Sequence, residues 1–300
     1  MLPANVGREG VGGMGVHESR PSAWDLQFGA QWHPPQLTFD HPHPLRMRDH
    51  LLGGKDNYQA DREAVEATLA LYPDYRLLCQ AGESFVRRAL AWVAGREHGL
   101  TQFLHLGTFI PTLRGSYDSQ VRALCPEATF VYVTDDSISA AHGRGVLAAQ
   151  ARPRGEVYVQ LADFREPGPV LRGAWLKEKL DLRSPVGVLL VGMLDCTADD
   201  ARLTLALAEL RDVLAPGSLV VIQHTLDYPT RGAARNAREL LGHNPFQFTT
   251  RPLPRVRELV SGFRFVDPGF VPCTSWRPDG VGPGRELEAR CPVAGGVARI

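Results

Sequence analysis

Pro185-Val186-Gly187-Val188-Leu189-Leu190-Val191-Gly192-Met193-Leu194 is almost entirely apolar and runs directly into Asp195. The stretch is too short to cross a bilayer, which takes about 18 apolar residues or more. A short run without polar alternation is the pattern of a parallel strand covered on both faces. Working outward, residues 102–106, 129–133 and 157–159 are further strand segments upstream, and 218–223 is one downstream. Helical stripes lie between them. Residues 115–124 and 137–150 are two, and a third carries Leu203, Leu207, Leu210, Val213 and Leu214, with Thr197 as its expected N-cap and Pro216-Gly217 as its stop. Strand and helix taking turns in this way predicts a doubly wound α/β sheet with right-handed crossovers.

Two helices precede the alternation, at 59–71 and 75–93, the second with Leu78, Phe85, Val86, Leu90 and Val93 on one stripe. Two more are expected near 233–241 and 255–261, with short strands around Phe265-Val266 and Val297-Ala298. The domain reading is an irregular N-terminal arm over 1–44 and one domain with an N-terminal helical cap over 45–300. The arm is rich in Gly, Pro and His, but Trp24, Phe28, Trp32 and Phe39 are more aromatics than a linker needs.

Composition narrows the function. The 300 residues are 44% hydrophobic and 22% charged, enough to bury a core. Lys+Arg 33 balance Asp+Glu 33, which argues against a dedicated nucleic-acid binder. The five cysteines, Cys79, Cys125, Cys196, Cys273 and Cys291, show no CxxC or Cys/His spacing and read as reduced thiols. His33, His41 and His43 stand among prolines that resist gathering around one ion, so no metal site is expected. The first residues lack a charged segment followed by an apolar one, and the expected location is the cytoplasm. The expected partner is a small-molecule substrate, with neither nucleic acid nor membrane.

In a doubly wound sheet, ligands bind beyond the carboxyl ends of the strands. Those ends read His105-Leu106-Gly107-Thr108-Phe109, Thr134-Asp135-Asp136, Ala162-Asp163-Phe164, Leu194-Asp195 and Gln223-His224. An acid after the second strand commonly holds ribose hydroxyls, and Asp163 after the third is suited to an exocyclic amine. One such carboxylate is as well explained as a helix N-cap. Several at successive ends point to a nucleoside pocket.

The chain resembles the S-adenosylmethionine-dependent methyltransferase family abundant in actinomycetes. The resemblance is carried by Leu51-Leu52-Gly53-Gly54-Lys55-Asp56-Asn57-Tyr58 with Ala60-Asp61-Arg62, then by Phe85-Val86-Arg87-Arg88-Ala89, Val131-Tyr132-Val133 and residues 160–167. Leu214-Ala215-Pro216-Gly217-Ser218, Pro268-Gly269-Phe270-Val271-Pro272 and Trp276-Arg277-Pro278-Asp279 complete it. It implies a Rossmann-like fold with a seven-stranded, mostly parallel sheet whose last strand is antiparallel, and S-adenosylmethionine as cofactor. It also implies a cofactor site of Gly107, Thr108, Phe109, Thr134, Asp135, Asp163 and Phe164, closed from above by the segment that contains Asn57.

Three positions depart from that family's pattern. Where the family has Asp-Ile-Gly-Thr-Gly-Leu-Pro-Thr, this chain has His105-Leu106-Gly107-Thr108-Phe109-Ile110-Pro111-Thr112. The acid has become His105, and Phe109 adds bulk where a glycine lets the backbone approach the cofactor. The expected ribose carboxylate is Thr134, which cannot form a bidentate clasp on a diol. Gly115, Tyr117 and Asp195 stand where the family tends to have Asn, His and His.

Two readings follow. One is methyl transfer to a small molecule in secondary metabolism, with His224 or Asp195 as the base. The other keeps fold and pocket for a cyclisation, elimination or isomerisation, with His105 as acid or base and Tyr58, Asp56, Tyr117 and His224 as further polar groups; its non-catalytic form is a binding protein.

Overall fold

The computed structural model of the chain describes residues 39–108, 115–149, 155–227 and 249–300. Phe109, the helix expected near 233–241 and the arm residues Trp24, Phe28, Trp32 and His33 lie outside the described residues.

Five strands run parallel: β1 (Gln102–Gly107), β2 (Thr129–Thr134), β3 (Val157–Leu161), β4 (Gly187–Val191) and β5 (Leu219–Thr225). β6 (Arg264–Phe265) and β7 (Val271–Pro272) are two residues each, and β8 (Val293–Arg299) is antiparallel to β5. The sheet order is β3-β2-β1-β4-β5-β8-β6, with β7 also pairing to β8. The seven-stranded path is therefore present with its last strand antiparallel, and β7 adds an eighth. β8 is longer than the pair of residues expected from sequence. Its glycines hide it there, yet Gly295 is needed because a Cβ would meet the Phe85 ring at 2.4 Å.

Strand order reverses between β1 and β4, and that junction is drawn tight. Gly107 has φ 157°, and a Cβ on it would lie 1.8 Å from the Val191 carbonyl oxygen. The Thr108 N–H donates to that oxygen at 2.7 Å. Only glycine fits at 107.

Alternation along each strand sorts side chains to two faces. Phe103, Phe130, Tyr132, Leu189, Val191, Leu219 and Val221 pack under two helices, α3 (Tyr75–Val93) and α4 (Tyr117–Leu124). Leu104, Val131, Val188, Leu190, Val220 and Ile222 form the other core, against α6 (Pro167–Arg172), α7 (Ala174–Lys179), α8 (Asp200–Val213) and α9 (Leu253–Leu259). The remaining helices are α1 (Pro44–Leu51), α2 (Gln59–Leu71) and α5 (Ser137–Ala149). Thr197 does not cap α8. Its hydroxyl donates back to the Met193 carbonyl at 2.8 Å, and Asp199 accepts from the N–H groups of Ala201 and Arg202 instead.

The α1–α2 cap is fastened by ions. Asp61, fully buried, accepts from the His43 and Tyr58 N–H groups and from Arg46 Nε at 2.8, 2.8 and 2.9 Å. Arg46 also donates to Asp136 Oδ1 at 2.9 Å, which ties α1 to the end of β2. No described helix is long and apolar enough to cross a membrane.

Candidate active site

α1 faces the carboxyl ends of β1, β4 and β5 across a cavity. Met47, Arg48 and Leu51 line it from α1, and Leu78 and Cys79 from α3. Thr108, Gly192, Asp195, Gln223 and Thr225 line it from the strand ends. Strand parity explains the last pair: Gln223 and Thr225 share the face of Leu219 and Val221, turned toward α3.

Asp195 is 3% exposed, and its Oδ1 accepts from the Thr225 N–H at 2.8 Å. His224 Nδ1 stands 3.4 Å from the same oxygen. Burial opposes ionisation of Asp195, but His224 and the Thr225 N–H outweigh it and hold the pKa below the ordinary carboxylate value. His224 itself does not line the cavity. It lies on the opposite face of β5, fully buried, and reaches the cavity only through Asp195.

His105 is also absent from the cavity lining. It faces the core under α3 and α4, fully buried, with its ring 5.8 Å from Tyr117 and 5.7 Å from Tyr132. Burial, reinforced by the charge of Arg48, lowers its pKa to about 3, so the imidazole is neutral at any working pH. Glu83 of α3 places a carboxylate beside Tyr117, one of the rings that border His105. Glu83 Oε2 accepts from the Tyr117 hydroxyl at 2.8 Å and from Arg48 at 2.9 Å, and Arg87 lies 2.7 Å from Oε1. Glu83 escaped the sequence reading because it sits inside the helix expected over 75–93, where a charge reads as a solvated face, and Arg48 because no helix was expected over 44–51.

The residues expected to hold a nucleoside lie at the ends of β2 and β3. Thr134 is buried, and its hydroxyl accepts from the Asp136 N–H at 3.2 Å. Asp136 caps α5 through the Ser139 N–H and hydroxyl. Asp135 is placed differently. Its Oδ2 lies 3.3 Å from Arg165, while its buried Oδ1 has no hydrogen-bond partner, with His43 Nε2 at 3.7 Å. Asp163 accepts from the Arg165 N–H, Nε and NH2 at 2.9, 2.7 and 3.0 Å, and Arg202 is 3.5 Å away. Burial works against its ionisation and Arg165 more than offsets that, lowering its pKa. Phe164 is packed in the second core, 1% exposed, rather than at the cavity.

Above the β2 end, the Leu51–Tyr58 segment closes on the start of α5. Asn57 donates to Asp49 Oδ2 at 2.8 Å and to the Gly54 carbonyl at 3.1 Å, while His142 of α5 lies 3.4 Å from Asp56. Tyr58 is 37% exposed, its ring 4.6 Å from Phe39. It stands with Asn57 at this cleft, away from Asp195. Among the described residues, no group of three or more His, Cys, Asp or Glu is disposed to hold a metal.

Comparison with known proteins settles the family. The model of the S-adenosyl methyltransferase family matches residues 30–300. The chain belongs to that family. A candidate methyltransferase from Thermobifida fusca is 30% identical, with a TM-score of 0.77 over 90% of this chain and 99% of its own. A DUF574 family protein from Streptomyces avermitilis is 28% identical, with a TM-score of 0.79 over 87% and 99%. No curated protein matches the chain. S-adenosylmethionine, the methyl donor of the family, is the cofactor, and the unpartnered Asp135 Oδ1 is an acceptor of the kind a ribose hydroxyl requires.

Proposed function

We propose that this methyltransferase acts on a small molecule in secondary metabolism, with Asp195 as the group that orients the methyl acceptor and takes its proton. The observation that carries the reading is a single ionised carboxylate lining the cavity between α1, α3 and the ends of β4 and β5. A cavity roofed by helices suits a small acceptor better than a macromolecular one.

When bound, S-adenosylmethionine supplies an electrophilic methyl group. The chain's own contribution is alignment, exclusion of water and proton removal. Asp135 offers Oδ1 to the ribose, with Gly107 and Thr108 at the turn beneath and Asn57 in the segment above. Met47, Leu51 and Leu78 keep the cavity apolar around the reacting atoms. His224 is a positioning residue: it holds Asp195 from behind. Chemistry centred on His105 has no support, because that ring stands in the core and stays neutral.

The test uses the full chain with S-adenosylmethionine carrying a labelled methyl group and a small-molecule extract. The reading expects micromolar binding of the cofactor by titration calorimetry and label in the small-molecule fraction. No binding at millimolar cofactor, or label only in macromolecules, contradicts it.

A further inference from the structure

The Gln223 side chain is held in the cavity without a task in the fold. The residue is 4% exposed, it lines the cavity, and its Oε1 is buried with no hydrogen-bond partner. Buried amide oxygens are rarely left this way unless something else bonds to them. The fold makes room for the amide: Gly82 of α3 lies beneath it, and a Cβ there would meet Gln223 Nε2 at 2.4 Å.

Asp195 lines the same cavity. The carboxylate is bonded to the N–H of Thr225, two residues along the same strand and on the same face as Gln223. The cavity's guanidinium, Arg48, is paired with Glu83 at 2.9 Å and keeps one further buried N–H, at Nε, without a partner. The strand ends therefore present two acceptors, one of them anionic, below an apolar wall of Met47, Leu51 and Leu78.

We propose that Gln223 and Asp195 form a subsite for hydrogen-bond donors, and that the methyl acceptor is a small amine on an apolar body. The proposal rests on the methyl-transfer reading of the same cavity. An amine brings two or more N–H donors to the two acceptors, a hydroxyl brings one, and a carboxylate brings none and meets the charge of Asp195. In the reaction, the nitrogen lone pair forms the N–CH3 bond as the S–CH3 bond breaks. The electron pair of that bond stays on sulfur, leaving a thioether, and the surplus proton leaves nitrogen by way of the Asp195 carboxylate to water.

The experiment is calorimetric titration of the full chain with 2-phenylethylamine, 2-phenylethanol and phenylacetate, which share a ring and chain and differ in the head group. The amine is expected to bind about tenfold more tightly than the alcohol, with phenylacetate weakest. Gln223→Met should weaken amine binding about tenfold. Gly82→Ala provides the second variant. Alanine favours the helix and its methyl crowds the amide, so amine affinity should fall without a fall in unfolding temperature. Absence of amine binding, tightest binding of phenylacetate, or unchanged amine affinity in both variants overturns the proposal. Titration with S-adenosylmethionine separates the two levels. Normal cofactor binding alongside a failed amine result removes the amine subsite alone, whereas failure of cofactor binding removes the methyl-transfer reading.

Discussion

At the ends of β2 and β3, Asp136 and Asp163 are held by Arg46 and Arg165, and only Asp135 keeps an oxygen unbonded. At the ends of β4 and β5, Asp195 and Gln223 line a cavity, and the amide oxygen has no partner. Both halves place acids where strands stop. In the first half the acids mostly fasten the cap and the helix starts; in the second they face space that a ligand can enter. An acid at a strand end is thus read by the cations around it, and arginine decides which acids remain for chemistry.

The contrast can be broken at several points. Asp195→Asn keeps size and removes the charge, so turnover should fall by a factor of about 10² to 10⁴ while the fold persists, as steady-state assays and circular dichroism would show. Equal turnover in the variant would mean that the open half lacks the proton acceptor. Arg46→Met strips the closed half of its clamp and leaves Asp61 and Asp136 buried beside each other without their cation. Breaking such a pair costs about 3–5 kcal/mol, measurable by urea unfolding.

His105→Gln sharpens the difference between the core and the cavity. The folded pKa is about 3 against an ordinary value of 6.5, so the unfolded chain binds the proton first as pH falls. Wild type should therefore lose stability below pH 6.5, by roughly 2 kcal/mol at pH 5 through this residue, and the loss should continue down to the folded pKa. The variant should lack this component in its unfolding temperature against pH, with no change in the pH profile of activity. Smallest of all, His224→Gln should move the acid limb of the activity profile upward, by about one pH unit or less, because Asp195 loses the neighbour that favours its ionised form. A drop in rate with an unmoved limb would make His224 merely structural.

Much of this was legible beforehand. The apolar run ending in Asp195, the strand segments around 102–106 and 129–133, and the Leu51–Tyr58 segment declared the sheet and the family. Roles of individual residues were harder. His105 stands two residues before Gly107 and reads as part of the ligand loop, but strand parity puts it on the face of Phe103, under α3 and α4. The same parity separates Gln223 from His224: the imidazole drew notice by its chemistry, while the amide on the cavity face did not. Asp163 looked available, yet Arg165, from a turn, and Arg202, from a helix far along the chain, hold it. Arg165 is only two residues along and was open to view, whereas the pairing with Arg202 is long-range and leaves no local pattern.

The division between the two halves comes down to one comparison of affinities. S-adenosylmethionine is titrated calorimetrically into wild type, Asp135→Ala and Asp195→Asn. Loss of the β2-end acceptor should weaken binding about 10- to 100-fold, and loss of the β4-end charge should leave it within about twofold of wild type. Cofactor binding that survives Asp135→Ala and collapses in Asp195→Asn would contradict the account.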